Sequence, residues 1–340
     1  MTSETHGDHV ATGRALYRDA VVIDGLNTSR WGSEQVCRTI RDGGVTAMNA
    51  TIAIWDDYHS TLRHITNWLG WFERFDHYLR PVHTVADIDA AKAEGRTGVI
   101  FGWQNATPIG NDLANLHLFH ALGVRIVQVT YNERNLLGNG CYERADDGLS
   151  KFGQAAVREM NRLGILIDLS HTGDRTVLDT IERSEKPVAF THANARSQHD
   201  HPRNKSDDAI RLLVERGGVI GANAFPMFFP RDFESTLEDY LDAIEYLVQM
   251  AGPQHVAVGT DFCQEQPRSF FKWLFATQGT IAAMDAPPTP EPYRHLHGLD
   301  NPSEMVNIAT GLVKRGYAAD DVLAILGGNW RRLFSEVWRA

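Results

Sequence analysis

Two histidines close short apolar runs of this chain: His171 ends Leu166-Ile167-Asp168-Leu169-Ser170-His171, and His192 ends Phe190-Thr191-His192. Imidazoles at the ends of neighbouring strands would share one mouth, where a pair can hold a divalent ion such as zinc or act on a substrate directly. Asp261 follows Val258-Gly259-Thr260 at the end of a later run. A carboxylate there suits proton transfer; the plainer reading is a structural group that accepts the N–H groups of the next turn. Arg203, within His201-Pro202-Arg203-Asn204-Lys205-Ser206-Asp207, has the donor fork to clamp a substrate carboxylate. That run also reads as a solvated turn leading to a helix N-cap.

These residues need elements that aim them at one place. Eight short β-branched runs recur, each followed by a helix-like stretch: Ala20 to Ile23, Val45 to Ile54, Gly98 to Phe101, Arg125 to Thr130, Ile165 to Leu169, Val188 to Thr191, Gly218 to Asn223 and Val256 to Gly259. Runs so continuously apolar are expected of parallel strands covered on both faces. Helical segments are predicted over Leu113 to Leu122, Gly153 to Leu163, Asp207 to Arg216 and Leu237 to Met250. Eight βα units predict an α/β fold, a (β/α)8 TIM-type barrel, with chemistry at the C-terminal strand ends. Asn27, Gln104, His171, His192 and Asp261 all fall there, and residues 1–340 read as a single domain. Two segments exceed ordinary connections, residues 132–150 and 263–301, and are expected to overhang the mouth as binding loops.

The 340 residues, 43% hydrophobic and 22% charged with a net charge of -10, describe a globular chain with a sizeable core. The acidic balance argues against nucleic acid or anionic membrane as partner, since either needs a clustered basic surface. The N-terminal segment is polar and no stretch offers the uninterrupted apolar length of a membrane span, so a cytoplasmic protein is expected. Cys37, Cys141 and Cys263 have no paired spacing and read as reduced thiols. Cys141 and Cys263 fall near the mouth, where a thiol nucleophile is a minor alternative to inert packing. The x-spaced pairs His199/His201 and His295/His297 lie in polar, proline-bearing loops and are expected at the surface.

Taken in order, Val21-Val22-Ile23-Asp24-Gly25, Gly102-Trp103-Gln104, Asp168-Leu169-Ser170-His171, Thr191-His192, Arg203-Asn204, Gly259-Thr260-Asp261-Phe262 and Gly327-Gly328-Asn329-Trp330-Arg331-Arg332 resemble the renal (membrane) dipeptidase family of zinc peptidases. The resemblance covers about Ala20 to Arg332. It implies an amidohydrolase-type barrel, a two-metal site, dipeptide hydrolysis and often a homodimer. By position it makes His171 and His192 ligands of the second metal, Arg203 the binder of a substrate carboxylate and Asp261 the acid/base group. The departures are as systematic. Leu26 and Thr28 replace the first metal's His and Asp, Gln104 replaces the carboxylate that bridges both metals, and Tyr131 stands where the family has a substrate-binding histidine. Leu26 cannot ligate and a neutral amide oxygen is a weak ligand, so one zinc or other divalent ion at most is expected, or a metal-free site.

Three functions fit. The first is an altered dipeptidase-like hydrolase acting on a C–N bond of a small, carboxylate-bearing amide; Asp261 moves protons, His171 and His192 hold an ion or polarise the bond, and Arg203, Tyr131, Asn27 and Gln104 contact the substrate. The second is a metal-independent lyase or isomerase using Tyr131, His171, His192 and Asp261. The third is a ligand-binding protein on an enzyme scaffold.

Overall fold

The computed structural model describes residues 3–283, 289–290 and 292–338. Its strands are β1 Ile23–Asn27, β2 Ala47–Ala53, β3 Leu79–Pro81, β4 Thr97–Trp103, β5 Val124–Gln128, β6 Leu166–Asp168, β7 Ala189–Phe190, β8 Val219–Asn223 and β9 Val256–Gly259. All pair in parallel along the path β1-β2-β4-β5-β6-β7-β8-β9. The ring closes just beyond the strands, where Thr28 N–H donates to Phe262 O at 2.8 Å and Asp261 N–H to Leu26 O at 3.0 Å. This is the expected eight-stranded barrel with helices outside it.

Two strand details differ from the expectation. β1 begins at Ile23 and runs through Asp24 and Asn27, three residues later than the apolar run suggested. Polar residues continue this strand because the Asp24 carboxylate is satisfied inside the barrel, by Thr260 N–H at 2.8 Å and Thr260 Oγ1 at 2.7 Å. β3 lies off the closed ring and pairs only with the start of β4, Leu79 opposite Thr97. Its last residue is Pro81, which an edge strand tolerates because it has no N–H to offer a further neighbour.

Caps set the helix boundaries. Ser150 accepts Gly153 N–H and Gly164 adopts the left-handed conformation around the helix Lys151–Leu163; Ser206 caps Asp207–Glu215. Thr236 and Asp239 form a reciprocal box at the start of Leu237–Ala251. The segment 132–150 carries no helix, whereas 263–301 contains the helix Arg268–Leu274. Residues 284–288 and 291 of the second segment lie outside the described residues. No helix among the described residues is long and apolar enough to cross a membrane.

The barrel is plugged at one end and open at the other. At the N-terminal end, Ile23, Ala47, Ile100, Leu166, Ala189 and Val219 pack with Trp330, Leu333 and Phe334 of the closing helix. The Trp330 indole N–H donates to Val258 O at 2.9 Å. In the interior three glycines make room for one carbonyl: a Cβ built on Gly25, Gly221 or Gly259 would lie 2.5, 2.2 or 2.0 Å from Thr191 O. The backbone just before His192 therefore sits where no side chain fits. Gly259→Ala is expected to lower stability by about 1–3 kcal/mol, the usual cost of forcing a methyl into a packed interior, as measured by urea unfolding. An unchanged midpoint would show that the strand ends have room to move.

Candidate active site

The carboxylate of Asp168, at the end of β6, is 1% exposed and takes four hydrogen bonds. Its Oδ1 accepts from Ser170 N–H at 3.0 Å, Ser170 Oγ at 2.6 Å and Thr191 N–H at 3.0 Å, and its Oδ2 accepts from Thr191 Oγ1 at 2.7 Å. Ser170 Oγ in turn accepts His192 N–H at 3.1 Å. One side chain thus locks the ends of β6 and β7 together, and with them the two backbones that carry His171 and His192. The Asp24 to Thr260 bonds repeat the device between β1 and β9.

The two imidazoles meet tip to tip, with His171 Nε2 3.0 Å from His192 Nε2. Their other nitrogens determine the consequence. His171 Nδ1 lies 2.7 Å from Asn132 Oδ1, an acceptor, so Nδ1 carries a proton. The Thr191 hydroxyl gives its single hydrogen to Asp168, so it accepts from His192 Nδ1 at 2.7 Å, and that nitrogen is protonated too. Both neutral rings then direct lone pairs at each other across 3.0 Å. Such a contact is repulsive unless a proton is shared between them or a cation seated to one side bridges both nitrogens. Burial, together with the positive charges of Arg203 and Lys205, holds both imidazoles well below their usual pKa, which disfavours the extra proton.

Those two cations are unusual. Arg203 is 0% exposed and donates from Nη1 to Ser170 O and from Nη2 to His192 O, the latter at 2.6 Å, with its guanidinium 5.4 Å over the Phe228 ring. It is neither the solvated turn nor the open clamp that its loop suggested. Its Nη1 and Nη2 are used on these two carbonyls, the second of which also accepts from Asn223 Nδ2 at 3.2 Å, its Nε has no partner among the described residues, and it does not line the cavity. Lys205 is also buried; its Nζ donates to Thr172 O at 2.7 Å and lies 5.4 Å over the Phe190 ring. Burial and the neighbouring Arg203 bring its ammonium down to about 7.

The mouth holds a narrow cavity of about 20 Å³, room for about one water, partly open and bounded by Thr28, Gln104, Tyr131, Asn132, His171 and Asp261, with Tyr142, Phe225, Phe228, Leu274 and Phe275 around them. Asp261 has a left-handed backbone, φ 58°. Its Oδ2 accepts only a long bond from Asn223 Nδ2, 3.4 Å, and burial pushes its carboxyl up to about 6, against the lowering influence of Arg203. Tyr131 stacks on His171 at 4.2 Å, and its hydroxyl makes no hydrogen bond among the described residues. Burial pushes that phenol well above its usual pKa, so it is a neutral donor. Gln104 donates from Nε2 to Thr51 Oγ1 at 3.0 Å. Asn27 lies in the wall instead, bonded to Asp24 Oδ2 at 3.2 Å and to Ser29 N–H at 3.1 Å. His192 is fully buried and reaches the cavity only through His171.

Where the resemblance places a first metal, the residues in the two ligand positions are neutral. Leu26 is 1% exposed, and Thr28 Oγ1 lies 2.9 Å from Cys263 Sγ. The Cys263 thiol is held well above its usual pKa by burial and the nearby Asp261, and burial raises that of Cys141. Neither is poised as a nucleophile. Among the described residues no group of three or more His, Cys, Asp or Glu side chains is placed to hold a metal ion. The facing Nε2 atoms, each with its Nδ1 already oriented, do fit two ligand positions of a single ion. The donor set does not fit a two-metal centre.

His295 corrects the surface expectation for its pair. It is 4% exposed, and its Nε2 accepts Cys263 N–H at 2.9 Å, tying the end of the 263–301 segment to the barrel mouth. His297 is exposed, and His199 and His201 are half-buried. Sequence reasoning passed over Asn132, Asp168 and Lys205. Asp168 carried a readable signal, an Asp followed two residues on by Ser, the signature of a side chain bonding the backbone ahead of it. Nothing near Lys205 or Asn132 announces its role, because each acts on residues far away along the chain.

A family model described as membrane dipeptidase (peptidase family M19) matches residues 11–274. Among curated proteins, the dipeptidase tcpJ of Claviceps purpurea is 26% identical over 287 residues, covering 82% of this chain and 61% of that protein. The dipeptidase aclJ of Aspergillus oryzae is 29% identical over 269 residues, 77% of this chain and 57% of that protein. The chain thus spans about three fifths of the length of these relatives. Among solved structures, an amidohydrolase from Pseudomonas aeruginosa superposes with a TM-score of 0.91 at 37% identity, covering 96% of this chain and 99% of the other. A metallo peptidase from Rhodobacter sphaeroides, liganded with a phosphinate mimic of the dipeptide L-Ala-D-Ala, shares the fold with a TM-score of 0.78 at 20% identity, over 94% and 100% of the two chains.

Equilibration with zinc followed by dialysis should leave no more than one ion per chain, and His171→Ala or His192→Ala should each remove it. Two retained ions per chain, measured by elemental analysis, would contradict this account of the donors.

Proposed function

We propose that this chain, which belongs to the membrane dipeptidase family (peptidase family M19), hydrolyses the C–N bond of a small dipeptide-like or modified amino-acid substrate that carries a carboxylate, at a site with at most one metal ion. The observation that carries the reading is the pair of His171 and His192 Nε2 lone pairs facing across 3.0 Å beside a cavity that Asp261 also lines.

The residues divide the work as follows. Asp261, weakly hydrogen-bonded and with its carboxyl near 6, takes a proton from water as that water attacks the amide carbon, then returns the proton to the departing amine. The negative charge that develops on the carbonyl oxygen lies in the field of Arg203, a buried cation that needs no reorganisation during the reaction, and Lys205, whose ammonium burial brings down to about 7, adds its charge below that pH. The same field favours a substrate carboxylate, so Arg203 acts here through its charge. Tyr131 and Gln104 supply neutral polar contacts, and Tyr131 braces His171 by stacking. A divalent ion held by His171 and His192 would supply Lewis-acid polarisation of the scissile carbonyl.

A second reading is favoured by one observation: the neutral Tyr131 hydroxyl and the Asp261 carboxylate line the same cavity, the pairing of donor and base that a lyase or isomerase uses. Turnover that persists after chelation and yields no amine would select it.

Asp261→Asn is expected to reduce cleavage of a responsive dipeptide by about 10²–10⁴-fold, the usual contribution of a positioned acid/base group. In the wild type, the rate should fall as the pH drops through about 6, because protonation of a carboxyl whose pKa burial has raised removes the base. Steady-state rates on a dipeptide panel from pH 4.5 to 8.5 measure both. An Asn variant with wild-type rates removes Asp261 from the mechanism.

A further inference from the structure

Thr28 lines two spaces. One is the mouth cavity that Asp261 bounds; the other is a larger groove of about 310 Å³, open on one side to solvent, over the C-terminal ends of β1 and β2. Aromatic rings form two of its walls. Trp31 and Trp71 each pack against Trp68 with ring centres 5.1 Å apart, and Trp31 is anchored by its indole N–H to Thr51 O at 3.2 Å. Trp71 is held from outside by Gly32, where φ is +88° and an added Cβ would lie 2.9 Å from the indole. Phe270 and Trp273, 5.9 Å apart on the helix Arg268–Leu274, line the groove from the other side.

Trp31, Trp71, Phe270 and Trp273 are all partly exposed. Four large rings left in contact with water around one concavity, on supports already fixed, are the signature of a site awaiting a flat apolar group. Asp56 adds a polar requirement. Its side chain is only 10% exposed, with Oδ2 accepting Ile54 N–H at 3.2 Å and Oδ1 3.8 Å from His64 Nε2. That carboxylate accepts a hydrogen bond and repels an anion.

We propose that the groove is a binding subsite for a flat aromatic group of indole size that bears an N–H donor, and that it holds this arm of the substrate while the reacting bond lies in the cavity beyond Thr28. The first half stands on the groove alone; the second rests on the hydrolase reading above. The substrate carboxylate is drawn towards Arg203 in the barrel; within the groove the exposed Arg30 offsets the repulsion of Asp56.

The first test uses 5-fluoroindole, observed by ¹⁹F NMR. Saturable line broadening is expected with the wild-type chain. Affinity should weaken about tenfold in Trp71→Ala, the loss of roughly one aromatic contact, and also in Asn67→Trp, which fills the groove from an exposed helix position without removing a wall. Circular dichroism establishes that each variant is folded, and Asn67→Trp decides the matter if Trp71→Ala is not. Absence of saturable binding to the wild type, or unaltered affinity in the folded variants, overturns the subsite. The second test compares glycyl-L-tryptophan and L-tryptophylglycine with glycylglycine. One indole dipeptide should show the lower KM, and Asn67→Trp should raise it while leaving glycylglycine unaffected. Cleavage of all three with equal KM, indifferent to Asn67→Trp, overturns the substrate role. Indole binding with no cleavage of any of them would defeat the hydrolase reading and leave the subsite standing.

Discussion

A single buried carboxylate organises this site. Asp168 is closed off from water, and its charge is tolerable because two backbone N–H groups and two hydroxyls, from Ser170 and Thr191, point at it. Those donors belong to the segments that carry His171 and His192, so satisfying the carboxylate also sets the spacing of the two imidazoles. The Thr191 hydroxyl does a second job. By giving its hydrogen to Asp168 it must accept from His192 Nδ1, and this leaves the opposite ring nitrogen as a bare lone pair. Asn132 imposes the same state on His171. The tip-to-tip contact is therefore a product of hydrogen-bond bookkeeping several ångströms away.

That arrangement selects for positive charge at one point and supplies it diffusely elsewhere. Arg203 and Lys205 stand behind the imidazoles with carbonyls and aromatic faces as partners. Carbonyls and a ring face engage the guanidinium without neutralising its charge, so the potential of Arg203 reaches the mouth, joined by that of Lys205 below about pH 7. On the other side of the cavity, Leu26, Thr28 and Cys263 form a neutral patch. The site is consequently asymmetric, cationic behind the imidazoles, with Asp261 the one titratable carboxyl among the described residues that line the cavity on the β1 side. A carboxylate-bearing substrate with an apolar arm matches that asymmetry, and a symmetric two-ion centre does not.

The alternation of apolar runs and helical stretches was enough to specify the barrel, because parallel strands buried on both faces must be apolar throughout and periodic helices must cover them. The same rule mislaid β1, whose Asp24 and Asn27 look like the end of a strand until Thr260 is seen to satisfy the carboxylate. It missed β3, three residues of edge pairing with little apolar signal. His295 appeared to belong to a polar surface loop and is instead buried, because its ring accepts the N–H of Cys263, a residue 32 positions away. Arg203 looked free to grip a ligand, yet its two Nη groups are taken by the carbonyls of Ser170 and His192, just beyond β6 and β7.

What the residue order determined by itself was the set of strand-end groups and the absence of others: His171, His192 and Asp261 present, Leu26, Thr28 and Gln104 neutral. Side-chain chemistry and strand period are local properties, so they can be read one residue at a time. Only the tertiary structure decided which nitrogen of each imidazole faces its neighbour, that Arg203 and Lys205 lie beneath them, and that Thr28 lies between the small cavity Asp261 bounds and a larger aromatic groove. These depend on donors and acceptors brought together from distant parts of the chain, and a proton's location is settled by the partner it meets in space.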